Sequence, residues 1–223
     1  MSSTLVVAID GPSGSGKSST SRGVAARLGL RYLDTGAMFR AVTWWMLQQG
    51  VDVHDPAAVA AHVGEARLES GTNPEDPTIT VDGVDVADAI REAAVTGAVS
   101  PVSAVPEVRA WLLAAQRATV GNGGIVVEGR DIGSVVCPDA ELKIFLTADP
   151  SARAARRASE QGNGDVAATQ ESLLKRDAID STRATAPLTM PDGAVHIDTT
   201  ELSLEEVIGR IVGLADAVMA GER

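Results

Sequence analysis

Short aliphatic runs recur along this chain, and each is followed by a stretch whose apolar positions fall at helical spacing. Residues 4–9 are β-branched and aliphatic and stop at Asp10-Gly11, which predicts a buried strand entering a loop. Residues 17–28 read as a helix with Gly29 in the place of a C-cap. Residues 31–33 predict a second strand, followed by Asp34-Thr35-Gly36 and a helix through Gln49 that Gly50 stops. Asp55-Pro56 opens a helix reaching about His62, an N-cap with proline just inside.

The pattern changes after Gly64. Residues 66–70, 78–81 and 84–86 are short strand-like runs, Pro74 and Pro77 punctuate the first link, and Asp82-Gly83 is a two-residue hairpin signal. This predicts a small antiparallel insert. Beyond it, Pro106 opens a helix to about Val120, the glycine-rich residues 121–124 break it, and residues 125–128, 142–146 and 194–198 predict further buried strands. Helices are expected near residues 151–160 and 170–179, separated by a flexible segment at 161–165. A last helix starts at the capping box Ser203-Leu204-Glu205-Glu206. Strands separated by helices specify an α/β fold with a mostly parallel five-stranded sheet. In such sheets ligands bind at the carboxyl ends of the strands, so the loops at 11–16, 34–36 and 129–133 should meet at one edge.

Composition narrows the class. The 223 residues suffice for one large domain or one domain with an insert, and no apolar run is long enough to cross a bilayer. The chain does not begin with a basic and then apolar leader, and Cys137 is the sole cysteine, so a reducing cytoplasm is expected. A net charge of −11 argues against a broad basic surface for nucleic-acid polymers. A monomer without membrane contact is the expectation. His54, His62 and His196 lack metal-ligand spacing, and Trp44, Trp45 and Trp111 read as packing residues.

The chemistry lies in the loops. Gly11-Pro12-Ser13-Gly14-Ser15-Gly16-Lys17-Ser18 matches G-x-x-x-x-G-K-[ST] in full, between a predicted strand and a predicted helix. Glycines let successive N–H groups turn inward as an anion nest, and the following helix adds its positive end. Lys17 can reach the outer phosphates of a nucleoside triphosphate, and the Ser18 hydroxyl can ligate Mg²⁺. Ser19 completes this donor segment. No Asn-Lys-x-Asp guanine motif is present, which weighs against a GTPase switch. A kinase for a small anionic acceptor needs a second group of cations. Candidates are Arg40 after the second strand, Arg130 in Glu128-Gly129-Arg130-Asp131, the trio Arg153, Arg156 and Arg157, and the pair Arg176 and Arg183.

The combination DGPSGSGKSS, LDTGAMFR, EGRDIGS, RAARR and RDAIDSTRATAPL resembles the bacterial cytidylate kinase family of nucleoside monophosphate kinases, over nearly the whole chain. The resemblance implies γ-phosphoryl transfer from MgATP to CMP or dCMP in pyrimidine metabolism. It implies catalytic roles for Lys17, Arg130, Arg153 and Arg157, and places Thr35 and Arg40 in the CMP pocket. Ser100, Arg109 and Asp131 would contact the cytosine edge. Arg130 and Arg183 would hold the acceptor phosphate, with Asp180 on the ribose and Arg176 nearby. It further implies a core at 1–36, 96–150 and 168–223, a monophosphate-binding domain with the β insert at 37–95, and a lid at 151–167. Glu128 stands where Asp is usual in the family, and Thr35 where Ser is common. From the residues alone, a kinase acting on UMP, shikimate or dephospho-coenzyme A stays open, as does a nucleotide-dependent switch with no acceptor.

Overall fold

The computed structural model describes residues 4–160 and 165–221. Strands β1 (Val6–Asp10), β2 (Arg31–Asp34), β6 (Ile125–Gly129), β7 (Leu142–Thr147) and β8 (Val195–Asp198) form one sheet in the order β2-β6-β1-β7-β8, and every pairing is parallel. Central β1 and β6 are aliphatic almost throughout because both of their faces are covered. On one face, α1 (Lys17–Leu28) and α8 (Leu204–Ala220) bury Val24, Ala25, Val207, Ile208 and Ile211 against Val7, Ile9 and Val126. The two helices approach closely at Gly23, where a Cβ would lie 2.2 Å from Ile208 Cδ1. The capping box at the start of α8 forms as the sequence predicts, between Ser203 and Glu206.

The other face carries α2 (Thr35–Gln48), α4 (Ala93–Ala104) and α5 (Pro106–Val120). Between α2 and α4 lie the short α3 (Pro56–Ala61) and a second sheet, antiparallel, of β3 (Leu68–Ser70), β4 (Ile79–Val81) and β5 (Val84–Asp85). The insert does not carry a separate core: Val59, Ile79, Val81 and Val86 belong to one apolar cluster with Ala8, Leu33 and Val127 of the main sheet. Polar ties add to it. At its turn, Asp82 accepts from Trp45 Nε1 at 3.1 Å and from the Arg67 amide at 2.8 Å. Its far loop is held by Arg22, which donates to the Pro74 and Glu75 carbonyls, and by the Tyr32 amide, which donates to the Thr72 carbonyl at 2.9 Å. Asp82→Ala removes two acceptors at once and should cost about 1–3 kcal/mol in urea denaturation.

No element was expected over residues 93–104, where α4 forms with Pro101 inside it. Gly97 and Pro101 disfavour helix locally. Burial of Val95, Ala98, Val99 and Val102, themselves at helical spacing, overrides that preference. The chain then packs α6 (Pro150–Glu160) against α7 (Val166–Thr182). Most of the segment expected to be flexible, residues 161–164, lies outside the described residues, while Asp165 caps α7 by accepting from the Ala168 amide. Among the described residues no helix is long and apolar enough to cross a membrane.

Candidate active site

Strand β1 delivers the chain into the Gly-rich loop, and that turn is open only to glycine. At Gly11, φ is 152°, and a Cβ would sit 2.1 Å from the Leu146 carbonyl oxygen. The loop ends at Gly16, the N-cap of α1, which supplies no side chain to the first-turn N–H groups; the orphan donors are left for an anion. The loop's outward groups are tied down instead. Ser13 O accepts from Arg153, Ser13 Oγ from Arg176 and Ser15 O from Thr199, whereas the buried Ser15 Oγ finds no partner among the described residues. Lys17 turns back on the loop and donates to the Pro12 carbonyl at 2.7 Å. Burial, and next the charge of Arg130, press its pKa down to about 7, while Glu128 and Asp10 pull the other way. Ser19 is exposed and borders a surface recess with Arg22, Gly23 and Pro74.

Three carboxylates gather below the loop because the sheet register places them there. Glu128 pairs in register with Asp34 on one side and Ile9 on the other, and Asp10 follows Ile9. Asp10 accepts from the Ile132 and Gly133 amides at 2.7 and 2.8 Å, yet burial outweighs those bonds and lifts its pKa to about 6. Burial, then Asp34, lifts Glu128 to about 7, with Lys17, Tyr32 and Ser18 opposing. The Tyr32 hydroxyl donates to Glu128 Oε1, and the Thr35 hydroxyl to the Glu128 carbonyl at 2.7 Å. Asp34 caps α2 by accepting from the Ala37 amide. All nearby donors are oxygens. Among the described residues no three His, Cys, Asp or Glu side chains form a cage for a metal ion. Such a set suits a hard cation that keeps most of its water and takes its other ligands from phosphate.

The expected second set of cations does assemble beside this loop. Arg130 donates to the Gly11 carbonyl at 3.0 Å and, through Nε, to Asp180 at 2.8 Å. Arg183 lies 3.7 Å from Asp180 and 3.6 Å from Asp131. Asp131 in turn takes Arg109 at 2.5 Å, and Arg109 also donates to the Ser103 carbonyl and lies over the Phe39 ring. Arg130, Asp180, Arg183, Asp131 and Arg109 thus form one chain of alternating charge. Burial of Asp180 would raise its pKa, but Arg130 beside it holds the net shift downward. A single π-helical turn at Ile132–Val136 sets the direction of Asp131, whose carbonyl accepts from both Val135 and Val136. Ser100 is buried in α4, where its carbonyl accepts from Ser103.

Arg40 is steadied by Ile90 O and Thr96 Oγ1 and feels the like charges of Arg176 and Arg157 most strongly. Burial first and those cations second lower its pKa to about 9, and burial followed by Arg130 lowers Arg176 to about 10. Arg40, Arg130, Arg157 and Arg176 therefore share one field, which an incoming anion relieves. Arg153, which the resemblance places in the lid with a catalytic role, sits at the start of α6 against the Gly-rich loop. It is buried and fixed between the Ala148 and Ser13 carbonyls and Asp177, so in this conformation it braces the loop. The sequence reading gave no role to Asp10, Tyr32, Asp34 or Asp177. An acidic residue at the end of a predicted strand, at Asp10, Asp34 and Glu128, was the available signal. Cys137 is half-buried, and burial pushes its thiol up to about 11, as expected of a packing residue.

Comparison with known proteins agrees with this architecture. Residues 7–217 match the family model described as Cytidylate kinase. A cytidylate kinase of Streptomyces avermitilis is 59% identical over 220 residues, covering 98% of this chain and 95% of that one. Another, of Geobacillus thermodenitrificans, is 46% identical over 97% of this chain and 98% of the relative. A crystal structure of an uncharacterized protein from Eubacterium ventriosum shares the fold with a TM-score of 0.54 at 10% identity, covering 96% of this chain and 99% of that one. With the family model spanning all but the ends, this chain belongs to the cytidylate kinase family.

Proposed function

We propose that this protein transfers the γ-phosphoryl group of ATP to CMP or dCMP, giving ADP and the diphosphate. The observation that carries the reading is the second field of arginines, Arg40, Arg130, Arg157 and Arg176, set against the anion nest and joined to it by the Arg130–Gly11 contact. A protein built only to hold a triphosphate has no use for it. Residues 11–19 hold the donor phosphates. Thr35 and Arg40 belong to the CMP pocket, Arg130 and Arg183 hold the acceptor phosphate with Arg176 nearby, and Asp180 reaches the ribose. Residues 37–95 act as the monophosphate-binding segment and 151–167 as the lid, with the protein a cytoplasmic monomer.

The reaction needs no covalent enzyme intermediate. An oxygen of the CMP phosphate forms a bond to the γ-phosphorus as the bond to the ADP oxygen breaks. The acceptor oxygen is already ionised near neutral pH, so no base must strip it. What opposes the step is bringing two anions together. At about 4 Å and an effective dielectric near 20, each pair of like unit charges repels by about 4 kcal/mol. Lys17, whose charge the bound triphosphate restores, and the arginines, charged before the substrates arrive, offset that repulsion. The Ser18 hydroxyl would help hold Mg²⁺, whose charge would further neutralise the donor phosphates.

Base choice rests on Asp131, Arg109 and Ser100. A carboxylate accepts from the exocyclic amine of cytosine, while arginine or serine donates to the adjacent ring acceptors. Uracil would turn a carbonyl toward the carboxylate and leave buried acceptors facing each other. A coupled ADP-release assay across CMP, dCMP, UMP, AMP and shikimate tests the reading: CMP or dCMP should dominate, and a preference for another acceptor ends it. Asp131→Asn should lower kcat/KM for CMP more than for UMP, because the amide can donate to a carbonyl. An unchanged ratio removes Asp131 from base recognition.

A further inference from the structure

Tyr32 lies in the second strand and was given no role by the sequence, yet its side chain ends at the donor site. It points to the α1 face of the sheet with Val126, its partner in register, and Glu128, two residues further on, shares that face. Both Tyr32 and Glu128 are 2% exposed. The phenol donates to Glu128 Oε1, and the Ser18 hydroxyl bears on the same carboxylate. At the other end of the residue, the Tyr32 backbone is fixed twice, by the β2–β6 ladder and by donation to the Thr72 carbonyl of the insert. The ring is thus a rigid rod from the insert's docking edge to the end of β6.

We propose that Tyr32 is a positioning residue for phosphoryl transfer: by holding one oxygen of Glu128, its phenol aims the carboxylate at Ser18, so that the Ser18 proton points toward Glu128 and its lone pairs point toward the cation and triphosphate. The proposal rests on the transfer reading above for its catalytic consequence, although not for its effect on cation binding. The physical logic is that of outer-shell partners generally. A glutamate side chain has several free torsions, and a buried donor on one oxygen removes most of that freedom.

Tyr32→Phe keeps the ring and deletes only the hydroxyl. Binding of Mn²⁺ to the protein–ADP complex, followed by electron paramagnetic resonance, should weaken roughly tenfold or more, the range for loss of an outer-shell partner. In turnover, the half-saturating Mg²⁺ concentration should rise by a similar factor while KM for CMP stays unchanged. Adding Tyr32→Phe to Ser18→Ala should weaken Mn²⁺ no further, since the two act through one hydroxyl. Wild-type Mn²⁺ affinity in a Tyr32→Phe protein with a lowered Tm would reduce Tyr32 to packing and overturn the proposal. Additive losses in the double variant would overturn it too. Should the wild-type protein not phosphorylate CMP at all, the functional reading falls, while the Mn²⁺ measurement still decides the role of Tyr32.

Discussion

Lys17→Ala should lower kcat by about 10²–10³-fold or more, the size of effect seen when one preorganised charge at the developing anion is lost. The side chain is the cation nearest the loop's own carbonyls, donating to Pro12 O until a phosphate replaces that partner. The same variant tests the electrostatics. Burial holds the Lys17 pKa near 7 in the free protein, well below the 10.5 of an exposed lysine. Between those values the unfolded chain binds a proton that the folded chain has released, so this group's contribution to stability rises with pH from about 7 toward 10.5 and is most unfavourable at and below 7. Lys17→Ala should therefore not lower Tm at neutral pH. A bound triphosphate supplies the missing counter-charge and raises the pKa again. Binding of ATP at pH 8 should then take up protons, read by calorimetry in buffers of different ionisation enthalpy, and Lys17→Ala should abolish the uptake. Near-normal turnover in the variant would contradict the donor-site assignment.

Arg130→Ala should be nearly as damaging to turnover and, unlike Lys17→Ala, should also destabilise the fold. Arg130 joins the two halves of the site, with one contact to the Gly11 carbonyl and one to Asp180. Without it Asp180, 5% exposed, keeps Arg183 at 3.7 Å and the more weakly felt charge of Arg176. Breaking a buried pair from one side costs about 3–5 kcal/mol. Asp180 owes its depressed pKa first to Arg130 among its charged partners, burial acting against it. A carboxylate with a folded pKa below the unfolded value contributes stability above the unfolded pKa and loses it as pH falls through the folded one. The wild type should thus lose stability at acid pH on this account, and the variant should lack that component. Turnover should fall by about 10²–10³-fold, with KM for CMP rising, since the acceptor phosphate loses a fork of donors. A variant that folds with wild-type stability and unchanged KM for CMP would place the acceptor elsewhere.

Much of this was legible in the chain because its signals are local. The Gly-rich loop, its flanking strand and helix, the Asp82-Gly83 turn and the capping box at Ser203 each depend on residues within a few positions of one another. The alternating order of elements then fixes a parallel sheet with its loops at one edge. Helix α4 escaped because local preference at Gly97 and Pro101 opposed a burial pattern that gains its meaning only against α2 and α5. The insert read as separate in sequence because its strands are antiparallel, yet its apolar side chains complete the main core.

What the sequence by itself determined is the donor grip and the class of fold, since backbone conformation and hydrophobic period are properties of neighbouring residues. Which arginines serve the site was decided only in three dimensions. Arg153 and Arg157 lie four positions apart on one helix, but the first is spent on the Ser13 and Ala148 carbonyls and Asp177, while the second lends its charge to the field around Arg40 and Arg176. Charge acts through space and is screened or intensified by burial, and neither the distances nor the burial is written along the chain.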